Sequence, residues 1–330
     1  MSQPSAPSSL DGFVEMVADL LDAHTAALFL SDRTDHRFLE LRAYHSLSDH
    51  IMPWSVIERG EGLVGWVYKE QRPLHVNRFD HDSATLGIYS EDVGIRAFLA
   101  VPLPDRLGVL MVDTRDRHGF PEKLQRILAR LSCQGAMLIK SEAVRQQARL
   151  FRELLQWQKD FVSGGLESGE AFMALLGCME MELLLVTRHW KQSRIYSITE
   201  IHGGPGMETR GRGLLQKRFS MDSGLAGWIF RHGREIVLDR FGRDSQVSYL
   251  IYPDDGLGSG NVVVGLFLGG ESSGSRDNAA DGVVSMRPDH AVVLRGSPDI
   301  WWWPEDIAAI IKPLVWQILD RDTPGGLVAC

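Results

Sequence analysis

His75, Asn77, Arg78, Asp80, His81, Tyr89, Ser90 and Glu91 crowd one short stretch of the chain. Between them they offer imidazole, amide, guanidinium, phenol, hydroxyl and carboxylate groups, a mixture able to hydrogen-bond a nucleotide, an amino acid or a small anion. No fixed spacing among them marks a particular reaction. A metal site at His75 and His81 would need at least a third ligand, which the spacing does not supply, so both read as loop histidines and no metal is expected. Cys133, Cys178 and Cys330 are odd in number, far apart and without a Cys-x-x-Cys pair. They suggest neither a disulfide framework nor a thiolate zinc site. No motif identifies a cofactor.

The elements that must position these side chains are written twice. The stretch at 60–83, GEGLVGWVYKEQRPLHVNRFDHDS, returns without a gap at 222–245 as DSGLAGWIFRHGREIVLDRFGRDS. In each copy two glycines permit a tight approach and a helix start, and Leu63, Trp66 and Val67, or Leu225, Trp228 and Ile229, are expected to form the buried stripe of a short helix. A four-residue strand follows, then a polar, turn-rich segment ending in Asp-Ser. The duplication separates framework from specific chemistry. Arg78, Phe79, Asp82 and Ser83 recur as Arg240, Phe241, Asp244 and Ser245, whereas His75, Asn77, Asp80 and His81 become Val237, Asp239, Gly242 and Arg243. Asp82 and Asp244 are expected to cap or close a turn, because Asp bonds nearby backbone N–H groups. Arg78 and Arg240 are either framework or a shared anion contact. Tyr89, which meets Tyr252 in the second copy, either stacks on a ligand or fills a sheet face.

The stretch at 60–67, Gly-x-Gly-Leu-x-Gly-Trp-Val, with the strand at 73–76, Val-Pro-Leu at 101–103 and Gly-Val-Leu-Met-Val-Asp at 108–113, resembles the core of a GAF domain. That family comprises small-molecule-binding and dimerising modules of signalling proteins. The resemblance covers about 10–143 well and 165–322 more loosely. It implies an α+β chain of two GAF-like domains, each a mainly antiparallel sheet flanked by helices, joined by a long helix. It also implies a ligand over one sheet face beneath 77–95, which makes the eight polar residues above the pocket wall. Asp239, Arg240, Arg243 and Tyr252 are the weaker equivalents in the second copy. The thiols of GAF-type free methionine sulfoxide reductases, the bilin-binding cysteine of photoreceptor domains and the Asn-Lys set of cyclic-nucleotide binders have no counterpart here. A non-enzyme is therefore expected.

Length supports two domains, and 44% hydrophobic with 24% charged residues is an ordinary globular composition. The net charge of −8 gives no support for nucleic-acid or anionic-membrane binding. No secretion signal or membrane-length apolar run is seen, so a cytoplasmic protein is expected. In order, the chain reads as a disordered start at 1–9, a first domain at 10–143, a linking helix at 144–164, a second domain at 165–322 with a hairpin insertion at about 269–290, and a tail at 323–330. Strands are expected at 26–31, 38–45, 73–76, 96–103 and 108–113, and in the second copy at 183–186, 194–201, 235–238, 262–268 and 291–294. Two of the Trp301-Trp302-Trp303 run could pack, leaving at least one exposed or at an interface. Pro313 should kink or break the last helix.

From Pro121 to about Phe161 a single helix carries two apolar seams: Leu124, Leu128, Leu131 and Leu138, then Val144, Ala148, Phe151 and Leu155 at 4-3-4 spacing. The first closes domain one. The second pairs between chains or packs within one. With only about ten residues flanking the repeats, output is expected to pass through a partner. The leading reading is a stand-alone tandem sensor that binds a small molecule and signals through homodimerisation or a downstream protein. The alternative is a dimerisation scaffold whose pockets are filled by their own side chains, and a methionine sulfoxide reductase is a third.

Overall fold

Apolar residues at helical spacing after a polar start give α1 (Ser9–Leu21), whose inner face buries Phe13, Val14, Val17 and Leu21. The computed structural model describes residues 9–32, 36–189, 193–204, 213–215, 217–238, 249–251, 262–269, 289–296, 302–303 and 306–321. The chain divides into two compact units, Met1–Arg145 and Gln146–Cys330.

In the first unit follow β1 (Thr25–Ser31), β2 (Phe38–Ser46), β3 (Val56–Glu58), α2 (Gly62–Glu70), β4 (Leu74–Val76), β5 (Ala97–Pro102) and β6 (Gly108–Thr114). They form one antiparallel sheet in the order β3-β2-β1-β6-β5-β4. β3 was not expected, since three residues are too few to show an alternating pattern. Successive strand residues point to opposite faces. One face, carrying Ala27, Phe29, Phe98, Ala100, Val109 and Met111, packs on Val64, Val67 and Tyr68 of α2; of the expected stripe only Val67 is buried, while Leu63 is half-buried and Trp66 is exposed on the outer side of the helix. The repeated glycine Gly65 explains how α2 sits so near the chain before it: a Cβ there would lie 2.4 Å from the Glu58 carbonyl oxygen.

α3 (Glu122–Val162) is one continuous helix over nearly the span expected, Pro121 to about Phe161, and its second half covers most of the linking segment at 144–164. Its first half buries Leu128, Ser132, Ala136 and Ile139, while Leu124, Leu131 and Leu138 are only half-buried, so the closing face is rotated from the expected leucine seam. Small residues set that face. Gly135 meets the Phe13 ring, which would stand 2.9 Å from an added Cβ. Beyond residue 145 a different face is buried, made of Leu150, Leu154, Trp157 and Phe161; the Trp157 indole N–H donates to the Ala171 carbonyl at 2.9 Å. This half of the helix belongs to the core of the second unit rather than to a solvated linker.

The second unit continues with α4 (Ser168–Cys178), β7 (Met181–His189), β8 (Ile195–Gly203), β9 (Arg218–Ser220), α5 (Gly224–His232), β10 (Ile236–Leu238), β11 (Val262–Leu268), β12 (Asp289–Gly296) and α6 (Ile307–Arg321). Its sheet order, β9-β8-β7-β12-β11-β10, repeats the first strand for strand. Both sheets even place a bulge at one point, after Leu28 in β1 and after Val186 in β7. Gly227 repeats the role of Gly65, with an added Cβ 2.4 Å from the Met221 carbonyl oxygen. α6 contains Pro313 and is nevertheless one helix, so the expected break is not present; Ile307, Ile311, Leu314, Val315 and Ile318 bury its inner face around the proline. Trp302 and Trp303 are both buried, and Trp301 lies outside the described residues. The insertion at 269–290, apart from residues 269, 289 and 290, and the tail at 323–330 also lie outside them.

Candidate functional site

The segment 77–95 leaves the edge strand β4 and lies down on the α2 side of the first sheet. Asp82 starts its descent: its Oδ1 accepts from the Ala84 N–H at 2.8 Å and caps a 3-10 turn, Ser83–Leu86, in the role expected of it. Ser83, fully buried, donates to Asp92 Oδ1 at 2.7 Å and accepts from the Val93 N–H at 2.6 Å, tying the two ends of the loop together. These bonds, with the Gly94 N–H, hold the Asp92 carboxyl below its ordinary range. Phe79, Leu86, Ile88, Tyr89, Val93 and Ile95 then fill the space over Phe98, Ala100 and Met111. The sheet face beneath the segment is occupied by the protein's own side chains.

Of the eight polar candidates, Tyr89 alone enters this core. It neither stacks outward nor merely fills space: its hydroxyl donates to Asp113 Oδ2 at 2.8 Å and lies 2.6 Å from Thr25 Oγ1, which is 2.7 Å from Ser46 Oγ. Each hydroxyl has one proton, so with Tyr89 donating to Asp113 the chain of donors runs from Ser46 to Thr25 to Tyr89 to Asp113. Asp113 is fully buried on β6, and its Oδ1 has no hydrogen-bond partner among the described residues. Burial raises its carboxyl to about 7, against opposing stabilisation by the Tyr89 hydroxyl, the Thr25 backbone and Arg115. Burial, and then the Asp113 charge, also push the Tyr89 phenol upward. The neighbouring His24 is held below its usual value by burial and by Arg115.

The other candidates stand elsewhere. His75 lies on the opposite side of β4 from Leu74 and Val76, with Nδ1 2.9 Å from the Gln125 amide nitrogen and its ring 6.4 Å from Phe120. It faces α3, because one residue along a strand reverses the face, and burial lowers its pKa. Asn77, Arg78, Asp80, His81, Ser90 and Glu91 are exposed. His81 touches the edge of Phe79 at 6.0 Å, and Ser90 and Glu91 meet His50, through its carbonyl at 3.3 Å and its Nε2 at 3.0 Å. The polar residues that do converge, Thr25, Ser46 and Asp113, come from three strands and carried no signal in the sequence beyond a strand ending in Asp.

In the second unit Asp239, Arg240, Arg243 and Tyr252 lie outside the described residues. Cys133 is exposed on α3 and Cys178 ends α4, where burial raises its thiol. No group of three or more His, Cys, Asp or Glu side chains among the described residues could hold a metal ion. No described helix is long and apolar enough to cross a membrane. Along α3 the second seam remains open: Val144 is 65%, Phe151 41% and Leu155 59% exposed, with Ala148 exposed between them.

Residues 8–140 match the family model described as GAF domain, a common module of small-molecule sensing and signalling. Among solved structures, the chain is similar to the GAF domain of a phosphoenolpyruvate-protein phosphotransferase from Acinetobacter, at 26% identity over 41% of this chain and 84% of that one, with a TM-score of 0.35. The corresponding domain from Coxiella burnetii is 25% identical over 44% of this chain and 89% of that one, with a TM-score of 0.36. A free methionine-R-sulfoxide reductase from Neisseria meningitidis, solved with its substrate, is 19% identical over 39% and 74%, with a TM-score of 0.33. No curated protein matches the chain.

Proposed function

We propose that this chain, whose residues 8–140 form a GAF domain, is a regulatory protein built of two GAF-like units that works as a homodimer through α3. The observation that carries the proposal is the open seam. Val144, Ala148, Phe151 and Leu155 lie on one side of the helix while Leu150, Leu154, Trp157 and Phe161 are buried on another. Met137 and Val162, 65% and 73% exposed, lie seven residues beyond the seam at either end and so fall on the same side of the helix. A seam of this period is self-complementary, so a second copy of the same helix covers it with no new chemistry. The shared sheet order of the units supports the tandem reading. The filled face beneath 77–95 supports a scaffold whose output is set by how the two chains pair. The reading is non-catalytic, since neither Cys133 nor Cys178 stands at that face.

Sedimentation tests this directly. The intact protein should run as a dimer at about tens of micromolar, and the pair Phe151→Asp with Leu155→Asp should run as a folded monomer, because both side chains are exposed within one chain. A monomeric wild type, or a dimer that survives both charges, overturns the proposal.

One observation favours a sensing role alongside it. Asp113 Oδ1 is a buried acceptor without a donor among the described residues, the kind of group a ligand N–H or O–H would satisfy if segment 77–95 lifted. Native mass spectrometry after gentle purification should then show retained small molecules that Asp113→Asn releases. Bare polypeptide from both proteins would leave the scaffold reading alone.

A further inference from the structure

We propose that segment 77–95 is a lid on the first sheet, latched by the hydrogen bond between Tyr89 and Asp113 and released when Asp113 loses its proton. This deepens the sensing role proposed above by supplying what lifts the segment, and the latch works with or without a ligand beneath it.

The lid is tied to itself more than to the sheet. Ser83 joins its two ends through Asp92 and the Val93 N–H. From residue 80 to residue 95 its backbone bonds stay within the segment or go to the loop after β2, where the Met52 N–H donates to the Ile88 carbonyl at 2.8 Å and the Ser90 N–H to that of His50 at 2.9 Å. Among the described residues none goes to a strand of the sheet. Tyr89 is also the one side chain of this stretch that hydrogen-bonds to the sheet, again among the described residues. Gly94, at φ +75° and with nothing within 4 Å of an added Cβ, leads the chain back to β5 and can act as a hinge. Burial of Phe79, Leu86, Ile88 and Val93 keeps the lid down by default. The latch is the part that answers to protons.

The second unit shows that the fold does not require this latch. Thr25, three residues before the β1 bulge, lies opposite Ser46 on one side and Asp113 on the other. Leu183, three residues before the β7 bulge, lies opposite Gly203 and Arg295 in the same way. A leucine, a glycine and an arginine thus stand where the first unit has its threonine, serine and aspartate.

With the lid down, one Asp113 oxygen takes the Tyr89 hydroxyl and the other has no donor among the described residues. An ionised carboxylate is costly there, and burial raises the group to about 7. It is faced by Tyr89 from the lid, Thr25 and the preceding His24 from the β1 side, Phe98 of β5 and Arg115 just past β6. Arg115 favours the carboxylate too weakly to undo the effect of burial, and burial, then Arg115, hold His24 below its usual value. Lifting the lid lets water reach Asp113, so its carboxyl returns toward the ordinary 3.8 and the open form gives up a proton that the closed form keeps. Opening is therefore favoured by up to about tenfold for each unit that pH rises between those values, with no further gain above them.

Hydrogen exchange of the intact protein tests the latch, read by mass spectrometry on peptides from 77–95 and corrected for the pH dependence of unprotected amides. Opening should rise about tenfold per unit from about pH 5 to about pH 7 and level off by about pH 8, while the amides of β1 and β6 stay protected. Tyr89→Phe, which keeps the ring, should raise opening about tenfold at about pH 5. Asp113→Asn should flatten the profile to the few-fold change that the exposed pair of Glu91 and His50, 3.0 Å apart on the outer surface, can contribute. A steep wild-type profile in a protein that retains no ligand would still support the latch, because exchange reads the lid and not its occupant. A pH-independent wild type, a rise shared equally by β1 and β6, or a tenfold slope that persists in Asp113→Asn overturns the proposal; if that variant does not fold, an unchanged opening in Tyr89→Phe overturns it as well.

Discussion

Tyr89 and Asp113 set the energetics of the first unit's site through one buried hydrogen bond. Tyr89→Phe keeps the ring but leaves Asp113 Oδ2 without that donor, so a loss of about 1–3 kcal/mol in denaturant-measured stability is expected. A candidate ligand contact would have left stability nearly unchanged. The pH dependence has a definite sign. Asp113 is raised from 3.8 to about 7 in the folded protein, so between those values the native state keeps a proton that the unfolded chain has lost. Stability should therefore fall as pH rises from about 4 to about 7 and level off above, by at most roughly 4 kcal/mol at about 1.4 kcal/mol per pH unit. Melting curves of wild type and Asp113→Asn across that range isolate the effect. Parallel curves would show that the carboxyl ionises normally when buried.

At the scale of elements, the repeated helix start is fixed by backbone approach rather than by side-chain packing. A Cβ at Gly65 or Gly227 would stand 2.4 Å from a carbonyl oxygen, at Glu58 or Met221. Gly65→Ala and Gly227→Ala must push α2 or α5 outward, and each should cost about 1–3 kcal/mol by chemical denaturation. The gain from alanine's helix propensity, under about 1 kcal/mol, is too small to offset this. In α3, Trp157→Ala should destabilise the second unit by about 3–5 kcal/mol, because a fully packed indole and its bond to Ala171 are both lost. Leu155→Ala, two residues away and exposed, should leave the unfolding of the monomeric state almost unchanged while weakening self-association.

For the molecule as a whole, two units with separate cores joined by one continuous helix should unfold in two steps. Gly227→Ala should move one transition in calorimetry and Tyr89→Phe the other. A single transition displaced equally by both would show that the units melt as one cooperative block.

The duplication, the α+β class, most strand positions and the extent of α3 were legible in the sequence, because a repeat at fixed offset, period-2 strands and a long helical pattern are properties of the chain itself. So was the cap formed by Asp82, a local bond between neighbours. Tertiary structure alone decided which polar groups meet. His75 falls one residue out of phase with the core and faces α3, whereas Thr25, Ser46 and Asp113 are brought to Tyr89 by strand register across the sheet. Pairing joins residues far apart in the chain, and a one-residue change of register sends every side chain to the other face.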